Sequence, residues 1–348
     1  MEKNFKTDFQ EIHYGRKKPS FFLKLGLVLG EFGYGTIINL KNLLYKIRIL
    51  NEHNTGVWVT CVGNLTTGGV GKTPIVIELA NELSKTRKVA IVSRGYGAKL
   101  QNKNPNVIKD AKGLKFQDGT MCADEPFQIA KKTKDNVVVI TCANRKKAVE
   151  FAIIKYGIDC VILDDGFSNR KIKKDKTIIV IDSAMRFGNN HLLPFGPLRE
   201  PIREIKRADE IILVNKNDKN IDDAIEWVKK FKKPVKIAQM QPKRIYNIQS
   251  HAQVKLNKER AIAFCAIGQP EQFFNFAREY YEIIPVVFED HHKYNQFDID
   301  ELIKMAKMNN ITTFITTQKD ETKLTSFLKD VSEFSFNVLE LETKIVEI

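Results

Sequence analysis

The stretch that most limits how this chain folds is Val62-Gly63-Asn64-Leu65-Thr66-Thr67-Gly68-Gly69-Val70-Gly71-Lys72-Thr73-Pro74. An apolar, β-prone run, Gly56 to Val62, precedes it. Ile75 to Leu83 follow, with apolar residues at helical spacing. Strand, glycine loop and helix in that order form the setting of a phosphate-binding loop. Glycines let backbone N–H groups approach phosphates closely, and the helix N-terminus adds its positive dipole end. Thr66 to Pro74 therefore read as nucleotide-binding, with Lys72 reaching the outer phosphates and the Thr73 hydroxyl on Mg²⁺. The usual pattern asks for glycine at position 66, and this chain has Thr66. The loop is expected to draw instead on Gly63, Gly68 and Gly69 for backbone room.

Downstream, Lys88–Ser93, Asn136–Ile140, Cys160–Leu163, Thr177–Ile181 and Ile211–Val214 are short apolar runs that read as buried strands. Helical patterns alternate with them. Asp124-Glu125-Pro126 opens one, with acids at its positive end, and Asn144-Arg145 opens another. The fold class this predicts is α/β: a doubly wound, mostly parallel sheet of the P-loop NTPase type with a second, smaller α/β domain. Cys160–Leu163 closes on Asp164-Asp165-Gly166-Phe167. A strand ending in aspartate beside such a loop reads as the Mg²⁺-side acid, the other reading being a turn aspartate. Leu100 to Gly119 is polar and reads as an irregular surface excursion. The predicted organisation is an N-terminal helical segment at 1–50, a nucleotide-binding domain at 51–233, a linker at 234–248 and a C-terminal α/β domain at 249–348. In the last, Phe273, Phe274, Phe276 and Tyr280 have helical spacing and read as core.

The 348 residues carry 56 basic and 42 acidic side chains, a net charge of +14. Such an excess suits an anionic substrate or an anionic membrane surface. Nucleic acid fits worst, because no zinc-finger spacing, RNA-binding aromatic signature or basic tail is present. Five scattered cysteines without a C-x-x-C pair read as reduced, buried thiols. Met1 to Lys18 shows no cleavable-signal pattern. Phe21 to Leu44 is strongly apolar but interrupted by Lys24, Glu31 and Lys41, and cations flank it. It reads either as a helix lying in the interface of an anionic leaflet or as one packed on the protein's own core. His13, His53, His191 and His251 are isolated, whereas His291 and His292 stand together beside Glu289 and Asp290.

These stretches together carry a resemblance. The loop Val62–Pro74, Ser93-Arg94-Gly95-Tyr96-Gly97, Asp124-Glu125-Pro126, Asn144-Arg145, Asp164-Asp165-Gly166-Phe167 and Leu192 to Pro201 look like the tetraacyldisaccharide 4′-kinase family, as do Asp290-His291-His292 and Thr317-Gln318-Lys319-Asp320. The motifs run in the family's order through nearly the whole chain. One stretch departs: Ser168-Asn169-Arg170 stands where the family usually has Gln-His-Arg. The resemblance implies an ATP- and Mg²⁺-dependent lipid kinase acting on the 4′-hydroxyl of a lipid A precursor. It also implies a place at the cytoplasmic face of the inner membrane of a Gram-negative bacterium, and tips the N-terminal helix toward membrane contact. No obligate protein partner is evident. Within it, Asp124 is the expected base, supported by His291. Thr73 and Asp164 stand on the metal, with Asp165 and Glu125 as further contacts. Arg145 and Arg199 steady phosphate groups, and Asn64 and Arg94 join Arg199 on the substrate side. Two rivals are a regulatory GTPase, suggested by Asn215-Lys216-Asn217-Asp218 after a strand, and a membrane-associated partitioning-type ATPase. Against the first, the metal-side loop is not Asp-x-x-Gly; against the second, the Leu192–Pro201 and Asp290-His291 motifs would have no purpose.

Overall fold

A computed structural model describes residue 9 and residues 11–95, 98–100, 103–116, 119–215, 221–254, 258–267, 270–289, 292–324, 327–328 and 333–347. The chain divides into two compact units, residues 1–239 with 345–348, and residues 240–344.

The first unit begins with α1 (Phe21–Lys46) and then alternates strands and helices. Its strands are β1 (Trp58–Gly63), β2 (Val89–Ser93), β3 (Asn106–Asp110), β4 (Gly113–Leu114), β5 (Val138–Thr141), β6 (Cys160–Asp164), β7 (Lys176–Asp182), β8 (Glu210–Asn215) and the start of β9 (Val235–Asn247). Its remaining helices are α2 (Lys72–Leu83), α3 (Gly119–Cys122), α4 (Asp124–Lys132), α5 (Arg145–Tyr156) and α6 (Ile221–Lys229). The sheet order is β9-β8-β7-β1-β6-β2-β5-β3-β4. Pairing is parallel from β9 through β5. The strands are apolar throughout because helices cover both faces. Val59, Cys61, Val161, Leu163 and Ile211 face a cluster shared with α5 and α6. Val62, Ile91, Ile162 and Ile178 face one shared with α2 and α4.

Leu100–Gly119 is not wholly irregular. Asn106–Asp110 forms β3, antiparallel to β5, and adds an edge hairpin to the sheet. Its polar look is misleading because Ile108 and the stem of Lys109 are buried, and Lys109 Nζ donates to the Thr133 carbonyl. The stretch expected as a linker, 234–248, is almost entirely β9, and the boundary between units falls inside that strand, at Gln239/Met240. Its sequence hid it, since Lys236, Lys243 and Arg244 interrupt its apolar residues and the last two are exposed.

The second unit holds the rest of β9, then β10 (Arg260–Cys265), α7 (Pro270–Arg278), β11 (Glu282–Val287), α8 (Gln296–Met308), β12 (Thr313–Thr317), α9 (Gln318–Leu324) and β13 (Ser335–Glu347). Strands β11-β10-β12-β13 are parallel neighbours, and β13 lies beside β9. Phe273, Phe274 and Phe276 are core residues of this unit, as their spacing predicts.

The two faces of helix α1 differ in their surroundings. One face packs on the first unit. Leu27 is buried, and the Tyr34 hydroxyl donates to the Arg199 carbonyl at 2.8 Å. Glu31 pairs with His191 at 2.9 Å, and Lys41 Nζ donates to the Ser168 carbonyl at 3.2 Å. These positions lie four, three and seven apart and form one stripe. The other face leaves Phe21, Phe22, Leu25, Leu29, Phe32, Ile37 and Leu40 exposed. By length and composition the helix is long and apolar enough to cross a membrane.

Candidate active site

The glycine loop runs from the end of β1 to the first turn of α2, as the sequence predicts. Gly71 caps α2 with φ +90, a left-handed backbone that favours glycine. Pro74 occupies the first turn, where its missing N–H costs nothing. Val70 is buried in the core under the loop, so only its backbone is available to a ligand.

Gly63 has another task than the one expected of it. A Cβ there would stand 2.6 Å from Phe167 Cβ and 2.9 Å from the Phe167 backbone nitrogen. It is the small residue that lets β1 lie against the Asp164–Phe167 turn. Thr66 is buried because the first half of the loop is paired along the 197–199 segment. Thr67 N donates to the Pro197 carbonyl and Arg199 N to the Leu65 carbonyl, both at 2.7 Å, and Thr66 bridges Leu198. Leu192–Pro201 is thus backbone scaffolding for the phosphate loop, which its sequence does not disclose.

That pairing carries Arg199 into the site. Its two Nη groups donate to the two carboxylate oxygens of Asp165, each at 2.8 Å. Lys72 Nζ lies 3.5 Å from Asp165 Oδ1 and donates to Asn64 Oδ1 at 3.1 Å. Arg199 also donates to Asn64 Oδ1, while the Asn64 amide nitrogen donates to the Thr66 carbonyl at 2.8 Å. Asn64, expected on the substrate side, therefore joins the loop backbone to two cations. Buried Arg145, at the start of α5, donates to the backbone carbonyls of Asp164 at 3.2 Å and Asp165 at 2.9 Å. It holds the turn between the two aspartates. Arg94 is exposed at the end of β2, close enough for its charge to act on Arg145.

The two aspartates have opposite environments. Burial pushes the Asp164 carboxyl up to about 6, against the Ser93 hydroxyl, which donates to Oδ2 at 2.9 Å, and against the Lys72 charge. Burial also works against the charge on Asp165, but the Arg199 hydrogen bonds and the charges of Lys72, Arg199 and Arg145 outweigh it. They hold its carboxyl well below the usual range. Ser93 ends β2, and the parallel register that sets Val92 opposite Leu163 brings it beside Asp164. Only the strand order reveals that neighbour, so sequence reasoning missed it. Glu125 is exposed in the first turn of α4, with its charge felt at Asp164. Asp124, the expected base, is exposed at the start of the same helix, after Ala123 with φ +72.

Buried Asp164 and the Thr73 hydroxyl are hard oxygen donors of the kind Mg²⁺ takes. A buried carboxylate pushed up by desolvation gains most from a cation, so the donor set suits that ion. No group of three histidine, cysteine or acidic side chains gathers as a metal cage among the described residues. His291 and Asp290 lie outside the described residues, as do 216–218 of the Asn215–Asp218 stretch. Asn215 itself is buried at the end of β8.

Comparison with known proteins fits this geometry. The family model for tetraacyldisaccharide-1-P 4′-kinase matches residues 23–347. The chain belongs to this family. The 4′-kinase of Halothermothrix orenii is 30% identical over 335 residues, spanning 90% of this chain and 86% of that protein. The 4′-kinase of Francisella tularensis subsp. tularensis is 33% identical over 287 residues, 80% of this chain and 84% of its own. Among solved structures, LpxK of Aquifex aeolicus in complex with ATP superposes with a TM-score of 0.71 at 29% identity, covering 93% of this chain and 95% of that one. The match includes α1 from its third residue onward, so the helix is part of what this chain shares with the family.

Proposed function

We propose that the chain transfers the γ-phosphoryl group of ATP to the 4′-hydroxyl of a tetraacyldisaccharide 1-phosphate, a step in lipid A biosynthesis. The observation that carries this reading is the meeting of Lys72 and Arg199 beside a glycine loop at a helix N-terminus. Two cations and a set of backbone N–H groups there serve a polyphosphate. Membership of the 4′-kinase family specifies the acceptor.

On this reading Thr66 to Thr73 cradle the phosphates, with Lys72 on the outer ones. Thr73 and Asp164 would hold Mg²⁺, which when bound neutralises phosphate charge. Glu125, whose charge is felt at Asp164, would assist, whereas Asp165 is paired with Arg199 and Lys72. The acceptor oxygen forms a bond to the γ-phosphorus as the bond to the bridging β–γ oxygen breaks, and ADP leaves. The hydroxyl proton passes to Asp124. His291 keeps the supporting role that the family resemblance implies. Catalysis of this kind is mainly positioning and charge stabilisation. Arg199, with its fork of donors, suits a phosphate that arrives next to Lys72. Arg145 acts from behind by fixing the turn.

The exposed apolar face of α1 is read as resting in the interface of an anionic leaflet, on the cytoplasmic side of the inner membrane, with the acyl chains staying in the bilayer. The deciding experiment is transfer of labelled γ-phosphate from ATP to a lipid A disaccharide 1-phosphate in mixed micelles. Labelled 4′-phosphate in the lipid product is expected. ATP hydrolysis without labelled lipid would refute the kinase reading.

A further inference from the structure

Asp165 sits where the cations of the phosphate loop converge. Both of its carboxylate oxygens accept from Arg199, and Lys72 Nζ stands 3.5 Å from Oδ1. Its backbone has φ +50, a left-handed conformation in which aspartate and asparagine are among the few tolerated side chains. Arg145, through the Asp164 and Asp165 carbonyls, pins that turn so that the carboxylate is aimed at the two cations. A carboxylate offers a guanidinium the same planar pair of acceptors that a phosphate does. Asn64 contributes only a neutral oxygen to Lys72 and Arg199, whereas Asp165 is the carboxylate that both of them pair with.

We infer that Asp165 competes internally with the nucleotide's phosphates: its carboxylate aligns Lys72 and Arg199 and must yield at least one of them when a phosphate group binds. The inference rests on the reading above that Lys72 meets those phosphates. It has a consequence that can be read without metal. With the carboxylate removed, the two cations lose their paired anion and more of their charge falls on an incoming phosphate, so metal-free nucleotide should bind more tightly. The same change loosens their alignment, so turnover should fall. Removing a residue that acts only as a metal ligand would chiefly weaken binding of the Mg²⁺ complex.

The test is equilibrium binding of ATP by titration calorimetry, in EDTA and in excess Mg²⁺, to the full chain and to Asp165→Asn and Asp165→Gly. Both replacements suit a positive φ, and Gly also removes the acceptor that Asn could still offer to Arg199. In EDTA both variants are expected to bind ATP at least threefold more tightly than the unaltered chain. That gain should shrink with added salt, because it is Coulombic. Unchanged or weaker metal-free binding in both variants, with normal binding by the unaltered chain, would overturn the role given to Asp165 alone. Failure of the unaltered chain to bind ATP in either condition would overturn the kinase reading, and this inference with it.

Discussion

Lys72 and Gly63 show how differently two residues of one loop are used. Lys72 reaches out of the first turn of α2 to the point that Arg199 also reaches. A cation aimed at developing phosphoryl charge contributes about 3 kcal/mol to the transition state. Lys72→Ala should therefore lower kcat on the order of a hundredfold with little change in thermal stability, measured by steady-state kinetics and melting. Gly63 lies against Phe167 with no space for a methyl group. Gly63→Ala should cost about 1–3 kcal/mol of stability by overpacking, read from chemical denaturation. A methyl group accommodated at no cost would mean that β1 and the Asp164–Phe167 turn are not locked together.

At the scale of elements, α1 and the strand pair β9/β13 invite separate tests. The Tyr34, Glu31 and Lys41 contacts hold one face of α1 to the first unit, so its outward residues can be changed without unfolding the helix. Leu29→Asp with Phe32→Asp should weaken association with anionic vesicles at least tenfold in flotation, while the melting temperature stays within a few degrees. Retained vesicle binding would show that the exposed face does not meet lipid. On β13, Glu340 pairs with Lys243 at 3.1 Å and Arg244 at 2.6 Å, both on β9. Burial opposes its charge, but these hydrogen bonds outweigh it and hold its carboxyl below the ordinary value. A depressed carboxyl adds stability above its unfolded-state pKa and loses it as pH falls through the folded value. The second unit should therefore lose about 0.2–1 kcal/mol as pH falls through and below 4, since such partly exposed pairs are worth no more. Glu340→Gln should flatten that part of the stability profile.

For the whole molecule, nucleotide choice separates a kinase from a regulatory GTPase. ATP should support lipid phosphorylation, GTP should compete poorly, and Asp218→Ala should leave ATP-dependent turnover within about twofold. Tight GTP binding abolished by Asp218→Ala would overturn the assignment. The net charge of +14 belongs to this scale as well, since it favours approach to an anionic surface. Vesicle association should accordingly fall as salt rises even with α1 intact.

The sequence alone determined the order of the main strands and helices and the place of the phosphate loop. Those depend on local patterns: apolar runs of strand length, helical spacing and glycines before Lys72. It also supplied the family motifs, which recur as linear strings. It could not show β3, because a buried Lys109 stem looks polar on paper, nor β9, whose interspersed polar and basic residues read as a linker. It could not show that Ser93 adjoins Asp164, because that follows from β2 and β6 becoming parallel neighbours. Composition left two uses for α1 open, and packing showed one face held on the first unit and the other left exposed. Arg199 meets Asp165 only because the Leu65–Thr67 and Pro197–Arg199 backbones pair across more than a hundred residues of sequence. Hydrogen bonds between distant segments depend on register, and register is decided when the sheet closes.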